Sequence, residues 1–223
     1  MVGLAVLTFI VALVAGVVFI VPLIILGYDI QNTAVLVGLT AAGQLGMFAL
    51  GYVYLRYRDL SVPIATPSLS TLGYAIGGMV LALIVATSLS VVLSALDLLP
   101  SSVIGDIGAT DPTYLLGLAV LSVVIVAPVE EFLFRGIIQR RLRDQFGPVS
   151  AVVGASLLFG AMHLANYSGD LVPIVAGAFM ISAVGAVFGV VYERTNNLLA
   201  PILAHASYNV VLLVVSYFQL LYA

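Results

Sequence analysis

Two adjacent glutamates, Glu130 and Glu131, interrupt an apolar stretch that continues through Arg135 and Gly136. The chain has 2 histidines, His163 and His205, each inside a further apolar stretch, and Asn209 follows His205 by four residues. A carboxylate stripped of water beside an imidazole can hold a water molecule and take its proton. A second imidazole, paired with an amide side chain, offers donors to a developing oxyanion. No Ser or Cys nucleophile is needed, so hydrolysis of an amide by activated water fits these residue types. A catalytic zinc held by Glu130, His163 and His205 fits nearly as well, because two His and one Glu with an open position can activate water.

Helical phase separates the glutamates. Glu131 and Arg135 stand at i,i+4 with the acid first, the favourable order for an ion pair. Glu130 is turned by about 100° and needs a partner from another helix. His163 is level with it: Glu130 lies 17 residues before Gly147 and His163 lies 16 after, on the two arms of a hairpin. Counted by helix rise from the arginine-bearing turns, Glu130 and His205 both lie about 12–15 Å deep.

Composition places these side chains in a bilayer. Hydrophobic residues make up 63% of the chain and charged ones 8%, against about 25% in soluble domains. There is no cysteine, which excludes disulfides and thiolate chemistry. A net charge of −3 without a basic patch argues against nucleic acid as a partner. Seven stretches reach the roughly 20 apolar residues that a crossing helix requires. They are residues 2–26, 34–55, 72–96, 114–139, 149–165, 171–192 and 198–221. The expected fold is an all-α polytopic transmembrane bundle. Residues 1–112 form an N-terminal region of three spans without a recognised motif, and residues 113–223 a catalytic region of four. The first span lacks the positive n-region of a signal peptide and is expected to remain.

The arginines test this count. Arg56 and Arg58 follow the second span, Arg140, Arg141 and Arg143 the fourth, and Arg194 the sixth. The remaining connections hold only acidic charges, Asp29, then Asp97, Asp106 and Asp111, then Asp170. Every loop arginine therefore falls on one side, which the positive-inside rule makes cytoplasmic, with the N-terminus inside. Ala178, Ser182, Gly185 and Gly189 in the sixth span form a small-residue stripe suited to close helix packing.

Glu130-Glu131-x-x-x-Arg135, Phe159-x-x-x-His163 and His205-x-x-x-Asn209 occur in the motif order of the CAAX-protease and bacteriocin-processing family (CPBP, also called Abi). The chain resembles that family over about residues 114–222. The family includes the type II CAAX prenyl endopeptidases. The resemblance implies an intramembrane endopeptidase in the cell membrane whose site opens to the cytoplasm. It implies Glu130 and His163 as the water-activating pair, His205 and Asn209 on the oxyanion side, and Glu131 and Arg135 in support. The implied partners are membrane lipids and a membrane-associated peptide or protein substrate, with or without a lipid modification. A divalent metal such as zinc, with Glu130, His163 and His205 as ligands, stays open. Two other readings compete: a non-catalytic immunity or scaffold protein, because the family also contains bacteriocin self-immunity proteins, and a proton-coupled transporter, because Glu and His chains also relay protons.

Overall fold

Long apolar runs leave the backbone one way to satisfy its own hydrogen bonds in lipid, and the chain takes it. The computed structural model describes residues 1–222. Helices α1 (Val2–Ile25), α2 (Thr33–Tyr57) and α3 (Leu69–Ala95) come first, and each is long and apolar enough to cross a membrane. Polar side chains start the second and third: Asn32 accepts from the Ala34 amide and Ser68 from the Thr71 amide. A short helix, α4 (Val103–Thr110), follows.

The next helical run, Thr113–Asn166, is 54 residues long and folds back on itself. Gly147 has φ 77° and ψ 173°, a conformation natural to glycine, and Pro148 opens the helix that leaves it. The run is thus two arms, α5 (residues 113–146) and α6 (residues 148–162). Leu142 lies against Gly154, and the Phe134 and Phe159 rings meet edge-on at 5.1 Å, so the arms are antiparallel. Helices α7 (Leu171–Thr195) and α8 (Leu199–Tyr222) complete the bundle. Six helical runs are long and apolar enough to cross a membrane, and the fourth, folded at Gly147, contains the stretches expected as the fourth and fifth crossings.

Two local features depart from the sequence reading. The apolar pattern places the fifth crossing over residues 149–165, but α6 ends at Met162. At 1.5 Å per residue it is about 22 Å long, less than the hydrocarbon thickness. The chain then turns through Leu164–Asn166, and Tyr167–Ser168 pairs antiparallel with Ser101–Ser102. This two-residue ladder supplies partners to backbone groups that leave the helix early. The connection over residues 97–112 likewise contains α4, which no periodicity had marked.

α5 is also not a uniform α-helix. Ser122–Val126 and Phe132–Gln139 are π-helical, on either side of Ala127–Glu131. Pro128 has no N–H to give the preceding turn, and its ring crowds a carbonyl there. A wider turn relieves both problems, and such turns recur at functional sites.

Hydrogen bonds gather the connections at the two ends. At one end the Arg140 guanidinium donates to the Ser61 carbonyl, Arg143 pairs with Glu193 at 3.0 Å, and the Leu198 amide donates to the Pro63 carbonyl at 2.9 Å. At the other, the Thr33 hydroxyl donates to Asp111, and the Ser101–Ser168 pair ties the remaining connections. The Thr113 and Thr33 hydroxyls hold the Asp111 carboxyl below its usual range. Apolar side chains such as Ile10, Val17, Ile84 and Val124 cover the outer faces between these ends. Inside the bundle polar groups are fully buried instead: Glu131, Arg135 and Gln139 have no exposed surface.

Candidate active site

The site is assembled from α2, α5, α6 and α8. Glu131 accepts from Arg135 Nε at 2.9 Å, the i,i+4 pair expected from sequence. Its second oxygen accepts from Nδ1 of His205, also at 2.9 Å. A carboxylate cannot donate, so Nδ1 carries the proton and Nε2 presents its lone pair. That Nε2 lies 3.9 Å from Oε2 of Glu130. His163 repeats the logic on the other side. Its Nδ1 meets the Phe159 carbonyl at 2.8 Å, which assigns the proton to Nδ1, and its Nε2 also lies 3.9 Å from Glu130 Oε2.

Glu130 is thereby the convergence point. Its Oε1 accepts from Gln44 Nε2 of α2 at 2.7 Å. Its Oε2 is buried, without a hydrogen-bond partner, and faced by two imidazole nitrogens. With both imidazoles neutral, Glu130, Glu131 and Arg135 leave the cluster one negative charge, so it can take up one proton without exceeding neutrality.

Packing fixes these groups. His205 stacks on Phe188 of α7 with ring centroids 4.8 Å apart, and Phe159 lies edge-on to it at 5.8 Å. The Arg135 guanidinium sits 5.3 Å above the Phe159 ring. Helix α7 can approach this closely because of its small residues. A Cβ on Gly185 would come within 2.9 Å of the Phe159 ring, and one on Gly189 within 2.9 Å of Gln139. Gly160 of α6 faces Ala178 and Ser182 so closely that its Cβ would lie 2.0 Å from the Ser182 hydroxyl oxygen. The small-residue stripe read from the sequence is this interface.

The structure thus brings Glu130, Glu131, Arg135, His163 and His205 into one contact network. Asn209 stands apart from that hydrogen-bonded set: its Nδ2 donates to the Ser122 hydroxyl at 3.4 Å, within the first π-helical turn.

The type II CAAX prenyl endopeptidase Rce1-like family model matches residues 112–211. This stretch of the chain is similar to that family. The Rce1-like region contains all six candidate residues, from Glu130 to Asn209, and is somewhat under half of the chain. A second similarity is to the uncharacterized protein YpbD of Bacillus subtilis (strain 168), 34% identical over 82 residues. That match covers 37% of this chain and 36% of YpbD, so the chain spans only about a third of this relative's length. No solved structure matches the chain.

The Rce1-like region does not supply every contact. Gln44 belongs to α2, outside it, and sequence reasoning missed it. A signal was there: Gln44 precedes Arg56 by twelve residues, much as Glu130 precedes Arg140 by ten, so helix rise puts both at one depth. Asn197 was also unassigned. It clamps the α2–α3 connection, donating to the Ala65 carbonyl at 2.9 Å and accepting from the Ala65 amide at 3.2 Å.

The donor types at Glu130, His163 and His205 suit zinc, but their spacing does not. Ligand atoms around a tetrahedral zinc with bonds of 2.0–2.1 Å stand about 3.3 Å apart. Here both nitrogens are 3.9 Å from the carboxylate oxygen. Among the described residues no group of three His, Cys, Asp or Glu side chains has metal-holding geometry.

Proposed function

We propose that the chain is an intramembrane endopeptidase that cleaves membrane-associated peptides or proteins with a water activated by Glu130 and His163. The observation that carries this reading is the unpartnered Oε2 of Glu130, buried 3.9 Å from the Nε2 of both histidines. That gap is too long for a direct hydrogen bond. It suits one bridging oxygen about 2.75 Å from each atom, with angles of about 90°.

In this mechanism Glu130 Oε2 takes a proton from the bridging water while His163 Nε2 orients it. The hydroxide adds to the scissile carbonyl carbon. His205, protonated on Nε2 as well as Nδ1, and Asn209 Nδ2 donate to the resulting oxyanion. Protonated His205 brings the cluster to neutrality, with Glu131 holding its other nitrogen. Asn209 exchanges its long contact to Ser122 for this stronger acceptor. Glu130 then returns its proton to the departing nitrogen, the C–N bond breaks, and a carboxylic acid and an amine leave. Glu131 and Arg135 position His205 and do not touch the reacting atoms.

The arginine-bearing end is the cytoplasmic one in this reading, by the positive-inside rule. The site then opens toward the cytoplasm, and lipid-modified chain ends at the cell membrane are the substrates we favour. Cleavage of a membrane-anchored peptide by the purified chain tests the mechanism against Glu130→Gln and His163→Ala. Both variants should lose activity by 10²-fold or more, the scale of general acid–base catalysis. Parental rates in both would refute the mechanism.

A further inference from the structure

An apolar groove of about 720 Å³ runs between α3 and α7, on the opposite face of α7 from the small-residue stripe that packs against α5 and α6. Gly73, Gly77 and Leu81 form one wall, and Val187, Val190 and Arg194 belong to the other. The two helices touch along its floor, where Gly78 meets Val191. Gly73 and Gly77 instead face open space: a Cβ at either position would meet nothing within 4 Å.

Length and charge identify what fits. The α3 wall extends from Ser70 to Leu81, about 16 Å at 1.5 Å per residue. That is about half of a 30 Å hydrocarbon core, the depth of one leaflet. The groove begins at the arginine-bearing end and its inner lining is apolar. Arg194, exposed at its mouth, forms no ion pair among the described residues. The neighbouring acid, Glu193, is already engaged by Arg143 and Gln139. Tyr74, 44% exposed beside the mouth, has the amphipathic character of interfacial aromatic residues.

We propose that this groove binds one anionic phospholipid of the arginine-side leaflet. One of its acyl chains lies along Gly73, Gly77 and Val187, and its phosphate faces the Arg194 guanidinium. A guanidinium recognises phosphate by geometry as well as by charge. The site is separate from the Glu130 cluster, and its test does not depend on catalysis.

The full chain, purified in detergent and stripped of lipid, is titrated with dioleoyl phosphatidylglycerol or dioleoyl phosphatidylcholine, and bound lipid is counted by native mass spectrometry. One phosphatidylglycerol should bind with a roughly fivefold preference, the equivalent of about 1 kcal/mol for one basic side chain near anionic lipid. Gly77→Phe puts a ring into the groove from a Cβ position that meets nothing within 4 Å, and should abolish the adduct. Arg194→Gln should retain an adduct but lose the preference. Equal affinity for the two lipids, or unchanged binding by Gly77→Phe, overturns the proposal. So does displacement of the lipid by a farnesylated peptide whose cleavage Gly77→Phe abolishes, since the groove would then belong to substrate.

Discussion

Nδ1 of His205 donates to Glu131 at 2.9 Å while Arg135 holds the other oxygen of the same carboxylate. Adjacent glutamates on α5 therefore meet one imidazole from two sides, Glu131 at Nδ1 and Glu130 facing Nε2. Glu131→Gln breaks this division. An amide can donate to Nδ1, which moves the proton of the neutral ring to Nε2. Turnover should fall by about 10- to 100-fold, as when the groups that orient a functional histidine are removed. The ¹⁵N shifts of His205 should report the changed tautomer. An unchanged tautomer with full activity would refute the positioning role.

Arg135 has a different signature. Arg135→Met leaves Glu131 buried with only His205 against it, and breaking a buried pair in this way costs about 3–5 kcal/mol. Replacing both, Glu131→Gln with Arg135→Met, should be less destabilising than Arg135→Met alone. Thermal unfolding in detergent separates the two, and a double variant weaker than the single one would contradict the buried-pair account.

Gln44 fixes one oxygen of Glu130 and leaves the other for water. Gln44→Leu should lower kcat by tenfold or more with little change in KM, the scale of one hydrogen bond to a charged group, about 1.5–3 kcal/mol. A rise in KM at constant kcat would instead assign Gln44 to substrate binding.

Gly160 tests the helix contact beneath His163. Its Cβ would lie 2.2 Å from the Ala178 carbonyl oxygen, so Gly160→Ala must push α6 away from α7. A loss of about 1–3 kcal/mol is expected from overpacking, with a drop in activity because His163 ends that helix. Gly77→Ala, which meets open space, should be neutral in the same melts.

The 3.9 Å spacing around Glu130 Oε2 favours a bridging water over a zinc ion. Purified active protein should contain less than stoichiometric zinc and keep its rate after dialysis against a chelator. One zinc per chain, with activity lost to the chelator and restored by the metal, would reverse this assignment.

Much of the architecture follows from composition and local spacing. A run of about 20 apolar residues has to be helical in lipid, so the crossings could be counted before any coordinates. The Glu131–Arg135 pair is an i,i+4 relation within one helix. The level placement of Glu130 and His163 follows from a hairpin about Gly147. All of these depend on rise and periodicity, which are properties of local sequence. Tertiary structure decided the rest. That His205 bridges the two glutamates, that Gln44 reaches Glu130 from α2, and that Asn209 rests against Ser122 depend on how helices are rotated and how far apart they stand. Those quantities are set by long-range contacts such as Gly160 on Ser182 and Phe188 on His205, and by the π-helical turns around Pro128. Small shifts in helix rotation or spacing change hydrogen-bond partners without altering the one-dimensional pattern, so the sequence named five members of the cluster and only packing determined which atoms meet.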